Sequence, residues 1–298
     1  MNRREFLKIT AMAGAGALLP FELQTLAAPV PPDMVIVQGA RPQDVTQAAI
    51  DAMGGMKRFI AKGDVVVVKP NIGWDRAPEY AANTNPVVVA TVVKLCLDAG
   101  AKKVKVFDNP VNDARRCYVQ SGIAEAARRA GAEVSFTDER KFKDVAINGE
   151  VLKAWPLYTE IFETDKVINV PIAKTHGLTR LTLGFKNWMG VMGGRRGRIH
   201  FSIDEKLVDV ARVIRPTLTV LDAVRILTAG GPQGGDVRDV KTLGIVAASI
   251  DPVAADAFGA TLFGLKGGDI GVVKLAQEAG LGTMDFQRLK IQRIKIEF

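Results

Sequence analysis

Lys174 and His176 stand two apart in Pro171-Ile-Ala-Lys-Thr-His176, just after the apolar run Lys166–Val170. Residues two apart in an extended chain share a face, so an ammonium and an imidazole would point into one space. The first can hold a carboxylate or phosphate, and the second can move a proton near neutral pH. Lys186 and Asn187 follow in Leu181-Thr-Leu-Gly-Phe-Lys-Asn-Trp-Met-Gly190, and Lys69-Pro70-Asn71 closes an earlier apolar run. Each lysine alone reads as a solvated charge; the cluster reads as a site for a small anionic ligand. In that reading Lys174, His176, Asp222 and Asp251 carry acid–base chemistry, the aspartates orienting the imidazole. Lys69, Asn71, Asp108, Lys186, Asn187, Arg195 and Arg196 contact the ligand. The two arginines lie in Met192-Gly-Gly-Arg-Arg-Gly-Arg198, a mobile basic segment that is either a clamp for an acidic group or a solvated loop. His176 and His200 are the only histidines. With Asp256, or with Asp222 or Asp251, they offer a metal set, although no zinc-site spacing supports it.

The elements that would position these residues alternate apolar runs with helical segments, the pattern of an α/β three-layer sandwich on a mostly parallel sheet. Strands are expected at 34–38, 65–68, 104–107, 133–136, 166–170, 218–221, 243–248 and 293–298. The run Val65–Val68 is apolar throughout, as in a strand buried on both faces. Helices are expected from Asp44 to Gly54, Asn85-Pro86 to Gly100, Gln120 to Ala130, Asp251-Pro252 to Phe263 and Asp269 to Ala279. Ser202 and Glu205 carry capping-box spacing ahead of a helix to Arg215. Asn148-Gly149, between apolar residues, predicts a small antiparallel hairpin at the sheet edge. Several of these strands end in charged or amide residues: Lys69 and Asn71, Asp108 and Asn109, Lys174 and His176, Asp222, and Asp251. Ligands of open parallel sheets bind beyond the carboxyl ends of the strands, so these residues converge on one pocket.

Arg3-Arg4-Glu-Phe-Leu-Lys8 precedes a modest Gly/Ala-rich apolar stretch to Leu19. This is the pattern of a twin-arginine export signal, the address of a periplasmic protein that crosses the bacterial inner membrane already folded. The twin-arginine translocation machinery is therefore the expected partner. The stretch is too short and too rich in small residues for a membrane span of about 20 apolar residues. A cut at Ala27/Ala28 assigns residues 1–27 to the signal and 28–298 to a single α/β domain, one chain of roughly 270 residues with a core sufficient without staples. The formal charge is +8 and the apolar content 48%, those of a soluble globule that favours anionic ligands. No basic helix with interleaved aromatics appears, and the export address argues against nucleic acid. The glycine-rich Gly230–Gly235 segment has neither dinucleotide nor P-loop spacing. Only Cys96 and Cys117 are present, without a C-x-x-C, so a cysteine-held iron–sulfur cluster is excluded. A disulfide between them is permitted by an oxidising compartment but not shown by spacing.

Four ordered motifs resemble one family. Lys69-Pro70-Asn71, Asn169-Val-Pro-Ile-Ala-Lys-Thr-His176, Leu183-Gly-Phe-Lys-Asn-Trp-Met-Gly190 and Ser249-Ile-Asp-Pro-Val-Ala-Ala-Asp256 are similar to the signatures of the domain-of-unknown-function 362 family, over roughly 64–280. The resemblance implies an α/β domain and leaves cofactor and reaction unknown. Its matched positions are Lys69, Asn71, Lys174, His176, Lys186, Asn187, Asp251 and Asp256. Some members carry a ferredoxin-like module with cysteine-held clusters, which this chain lacks. Three roles stay open on sequence: an anion-binding enzyme using Lys, His and Asp, a non-catalytic accessory of a redox system, and a metal-dependent enzyme using His176, His200 and Asp.

Overall fold

In the computed structural model, residues 30–297 are described, and from Pro31 onward the chain is one compact unit. The export signal and its cleavage position fall outside the described residues. Strands are β1 (Met34–Gln38), β2 (Val65–Pro70), β3 (Lys103–Val106), β4 (Glu133–Val134), β5 (Phe142–Ala146), β6 (Ala154–Tyr158), β7 (Lys166–Val170), β8 (Ile172–His176), β9 (Arg180–Thr182), β10 (Leu218–Leu227), β11 (Val240–Ser249) and β12 (Ile291–Lys295). The main sheet runs β12-β1-β11-β10-β7-β2-β3-β4 and is mostly parallel. Antiparallel pairing enters where β11 lies between β1 and β10. Strand β8 pairs parallel with β10 and antiparallel with β9.

Helices α1 (Pro42–Ala52), α2 (Pro86–Asp98), α3 (Ala114–Gln120) and α4 (Ile123–Arg129) cover one face. Helices α5 (Gly184–Asn187), α6 (Ile203–Val213), α7 (Pro252–Thr261) and α8 (Gly271–Glu278) cover the other. The period of two along the strands builds both cores at once. Val66 and Val68 pack toward the first layer and Val67 toward the second, all fully buried. Burying each such side chain contributes about 1.5–3 kcal/mol. The expected three-layer α/β sandwich is what forms.

Local expectations fail where tertiary contacts or backbone freedom outweigh a short pattern. The 120–130 helix breaks at Ser121-Gly122, where Gly122 takes φ 69° and separates α3 from α4. Ser202 has φ 53° and its side chain caps nothing, so the capping box does not form. Arg41 rather than Asp44 is the cap position of α1, and Asp269 caps a 3-10 turn ahead of α8. The hairpin exists but is detached from the main sheet: β5 and β6 form their own two-stranded sheet, packed against the second core through Phe142, Val145, Trp155 and Leu157. Its turn is held by the buried Asp209 of α6, whose carboxylate accepts the amides of Glu150, Val151 and Leu152 at 2.8–2.9 Å. Cys96 and Cys117 are buried free thiols. Burial pushes both up to about 12, so they stay uncharged.

Candidate functional site

Parallel strands β2, β3 and β7 all end at one rim, and β8 carries on beyond β7 alongside β10. Strand β8 is extended, so Lys174 and His176 do share a face, and both line a cavity of about 500 Å3. Thr182 of β9 stands directly opposite Lys174 in the ladder and lines the same space. Trp74 from the loop after β2, Lys186 and Asn187 of α5, and Arg196 complete the polar and aromatic wall.

The three lysines differ in how many of their N–H groups the protein satisfies. Lys69 is fully buried, and its Nζ has three acceptors: Asp108 Oδ1 at 2.9 Å, the Pro70 carbonyl at 2.6 Å and Asn187 Oδ1 at 3.4 Å. Lys174 is also buried and has two, the Ala82 carbonyl and Asn71 Oδ1 at 3.2 Å. Among the described residues Lys186 hydrogen-bonds only the Met189 thioether, at 2.8 Å, a weak acceptor, with the Asp204 carboxylate acting on its charge from farther off. An ammonium has three donors, so unmet capacity grows from none at Lys69 to nearly all at Lys186. Burial, then the nearby Lys186, pulls Lys174 down to about 7. Burial, then Arg196, pulls Lys186 down to about 8. Burial also lowers Lys69, against the opposing pull of Asp108.

His176 is held by its own turn. Its Nδ1 accepts the backbone N–H groups of Leu178 at 3.1 Å and Thr179 at 3.3 Å, which places the ring proton on Nε2. Burial, followed by the charges of Lys186 and Lys174, drives it down to about 3. A ring held this way is neutral at physiological pH, with its one N–H on Nε2.

An amide relay fixes this wall. Lys174 donates to Asn71 Oδ1, Asn71 Nδ2 to Asn187 Oδ1 (3.2 Å), Asn187 Nδ2 to Asn169 Oδ1 (2.8 Å), and Asn169 Nδ2 to the Gly184 carbonyl (3.1 Å). Asp108 accepts from the amides of Ile72 and Asn109 besides pairing with Lys69. The Arg196 guanidinium donates to the carbonyls of Asn109 and Pro110. The basic segment is tethered rather than loose: Gly193 donates its amide to the Pro156 carbonyl and accepts from Trp155 Nε1, Leu157 bridges to Met192, and Asn109 Nδ2 donates to the Met192 carbonyl. Arg195 is exposed and does not line the cavity; His200 does, from its rim.

Of the four expected aspartates, Asp108 lines the cavity and the other three do not. Strand β10 continues through Asp222 to Leu227, leaving Asp222 fully buried with the amides of Asn85 (2.7 Å) and Val224 (3.0 Å) on its carboxylate; burial raises it to about 6. Asp251 caps α7 through the Ala254 amide and accepts Thr283 N–H. Asp256, buried in α7 and raised by burial to about 7, accepts the amides of Gly184 (2.7 Å) and Phe185 (3.0 Å) and so anchors the start of α5. Their oxygens serve backbone donors instead of orienting His176 or completing a metal set with His200; no group of three His, Cys, Asp or Glu suited to a metal occurs among the described residues. Asp256→Ala leaves two buried amides without acceptors, at about 1–3 kcal/mol each. The expected result is a lower unfolding midpoint in urea together with weaker anion binding, because α5 carries Lys186 and Asn187.

Sequence reasoning missed Thr182, Trp74, Met189 and Gly190. A lone hydroxyl and a three-residue strand leave no periodic signal, and a glycine's need for space appears only once its neighbours are placed.

Fold and site together define an α/β protein with a cationic cavity at the carboxyl ends of a mostly parallel sheet. Residues 66–261 match the family described as domain of unknown function (DUF362), and the chain belongs to that family. Residues 1–20 match the twin-arginine translocation pathway signal sequence, which directs export across the membrane. Among the described residues, no helix is long and apolar enough to cross a membrane. The chain is 30% identical over 215 residues to the thylakoid-associated protein sll1697 of Synechocystis sp., covering 70% of this chain and 65% of that protein. The lactate racemase apoprotein from Thermoanaerobacterium thermosaccharolyticum resembles it in structure at 10% identity and a TM-score of 0.49, over 76% of this chain and 56% of that one.

Proposed function

We propose that the cavity binds a small anionic ligand and that Lys174 supplies the titrating group of an enzyme acting on it. The supporting observation is the unmet donor capacity: Lys174 and Lys186 face about 500 Å3 of space with N–H groups that no protein oxygen accepts. The carboxylate on the cavity wall, Asp108, is already taken by Lys69 and two amides. An anion supplies the missing acceptors and adds countercharge to that which Asp204 already gives Lys186. Arg196, His176 Nε2–H and the Thr182 hydroxyl add donors around it.

The sign of the pH effect follows from the lysines. An anion binds their charged forms, so binding takes up protons where the free lysines have lost them. Affinity is therefore full below about 7 and falls as pH rises through about 7 and then about 8. Sulfate is a suitable probe because its own charge is constant over this range. Calorimetric titration of the exported protein with sulfate should show affinity falling by up to about tenfold per pH unit for each lysine above its pKa. Lys186→Met should weaken binding by about 10–100-fold, the worth of a charged hydrogen bond. Equal sulfate affinity at pH 6 and pH 9, or in Lys186→Met, would overturn the reading.

A further inference from the structure

We propose that Lys174 forms an imine with the carbonyl carbon of a 2-oxo acid whose carboxylate is held by Lys186 and Thr182. This rests on the anion-binding reading and deepens it by naming the ligand class. The first observation is the geometry of the Lys174 nitrogen. Its two protein acceptors, the Ala82 carbonyl and Asn71 Oδ1, match the two N–H groups of a neutral amine. The remaining position is an N–H in the ammonium and a lone pair in the amine. Because Lys174 lines the cavity, that lone pair is available to a ligand.

The second observation is the Thr182 hydroxyl, which is buried, lines the cavity and has no hydrogen-bond partner. A buried hydroxyl without a partner costs free energy that a ligand oxygen recovers. Thr182 and Lys174 are direct cross-strand partners, so their Cβ atoms lie only about 5 Å apart. A ligand reaching both must carry its electrophilic carbon and its anionic group next to each other. A 2-oxo acid has that arrangement. Lys186, whose ammonium hydrogen-bonds only a thioether among the described residues, supplies the charge for the carboxylate. A lysine made nucleophilic by burial beside a second cation is a recognised route to amine catalysis, and both conditions hold at Lys174.

The step balances without an oxidant or reductant. The ammonium of Lys174 gives up one proton and its lone pair adds to the carbonyl carbon, forming a C–N bond while the C=O π pair moves to oxygen. The carbinolamine oxygen takes up two protons, equal in number to those the nitrogen loses, and leaves as water. What remains is a protonated imine with a single N–H. Lys186, near 8, can lend and regain the proton in transit. His176 Nε2–H can polarise the carbonyl oxygen without giving up its proton.

The test is reductive trapping. The exported protein is incubated near pH 7 with pyruvate and sodium cyanoborohydride, then examined by intact mass and peptide mapping. The expected product is one adduct, heavier by the mass of pyruvic acid less one oxygen, on Lys174. At that pH an amine near 7 has roughly a thousandfold larger neutral fraction than an exposed lysine, so surface labelling should be minor. Excess sulfate should suppress the adduct, lactate should give none, and Lys186→Met should lower the yield at least about tenfold. Lys174→Met should abolish it. Adducts spread over exposed lysines, or none on Lys174 in a protein that binds sulfate, would overturn the imine and leave the anion reading standing. Failure to bind sulfate would sink both.

Discussion

Asp108→Asn is expected to lower stability by about 3–5 kcal/mol, a drop in melting temperature on the order of 10 °C for a chain of this size. The cause is the lysine left behind. Lys69 is fully buried, and its other two acceptors are neutral, the Pro70 carbonyl and Asn187 Oδ1. Without Asp108 its charge stays in the core without a counterion, or its proton is lost. The converse change is milder: Lys69→Met leaves a carboxylate that still accepts the amides of Ile72 and Asn109. The double variant Lys69→Met/Asp108→Asn should therefore lie closer to the parent than Asp108→Asn alone. Urea denaturation of the four proteins checks this, and simple additivity of the two single costs would mean the pair is not coupled.

Gly190→Ala should cost a comparable amount for a steric reason. A Cβ on Gly190 would stand 1.7 Å from Asp108 Oδ1 and 2.6 Å from Lys69 Nζ, well inside contact distance. Asp108 cannot swing away, because Ile72, Asn109 and Lys69 hold its oxygens. Either the pair opens or the 3-10 turn Trp188–Val191 moves off the sheet. Opening the pair carries the same cost of about 3–5 kcal/mol. In an Asp108→Ala background the carboxylate oxygens are gone and Lys69 Nζ, the far end of a flexible side chain, is the close atom left, so the second change should cost less than in the parent. If Gly190→Ala costs as much in that background as in the parent, the clash is not with the carboxylate. The same turn contains Met189, against which Lys186 rests, so the single variant should also weaken sulfate binding.

Much of the architecture was legible because burial on two faces leaves long apolar runs, as in Val65–Val68, and because Asn85-Pro86 and Asp251-Pro252 combine cap and proline at a helix start. Lys174 and His176 could be placed on one face because the strand period alone decides that. The aspartates could not be sorted in the same way. Asp222, Asp251 and Asp256 follow or adjoin apolar runs as Asp108 does, and only the placed backbone amides reveal which carboxylates are already occupied. His176 likewise reads as an acid or base in sequence. The two amides behind it, from Leu178 and Thr179, fix its proton on Nε2, and burial beside two lysines lowers its pKa. Arg195 and Arg196 are indistinguishable as letters; one faces water and the other a pair of carbonyls.

The detached β5–β6 hairpin grips the chain at Met192 and Gly193, three residues ahead of the arginine on the cavity wall. The site thus has a fixed floor and an adjustable side. Lys69, Lys174 and the asparagines are set by the main sheet, where any shift propagates through two cores. Arg196 follows a segment tied to that appendage, whose turn rests on the Asp209 carboxylate, and its guanidinium reaches the Asn109 and Pro110 carbonyls. Under the proposed anion-binding reading, lengthening or exchanging that appendage would reshape the Arg196 side of the cavity while leaving Lys174 on its strand.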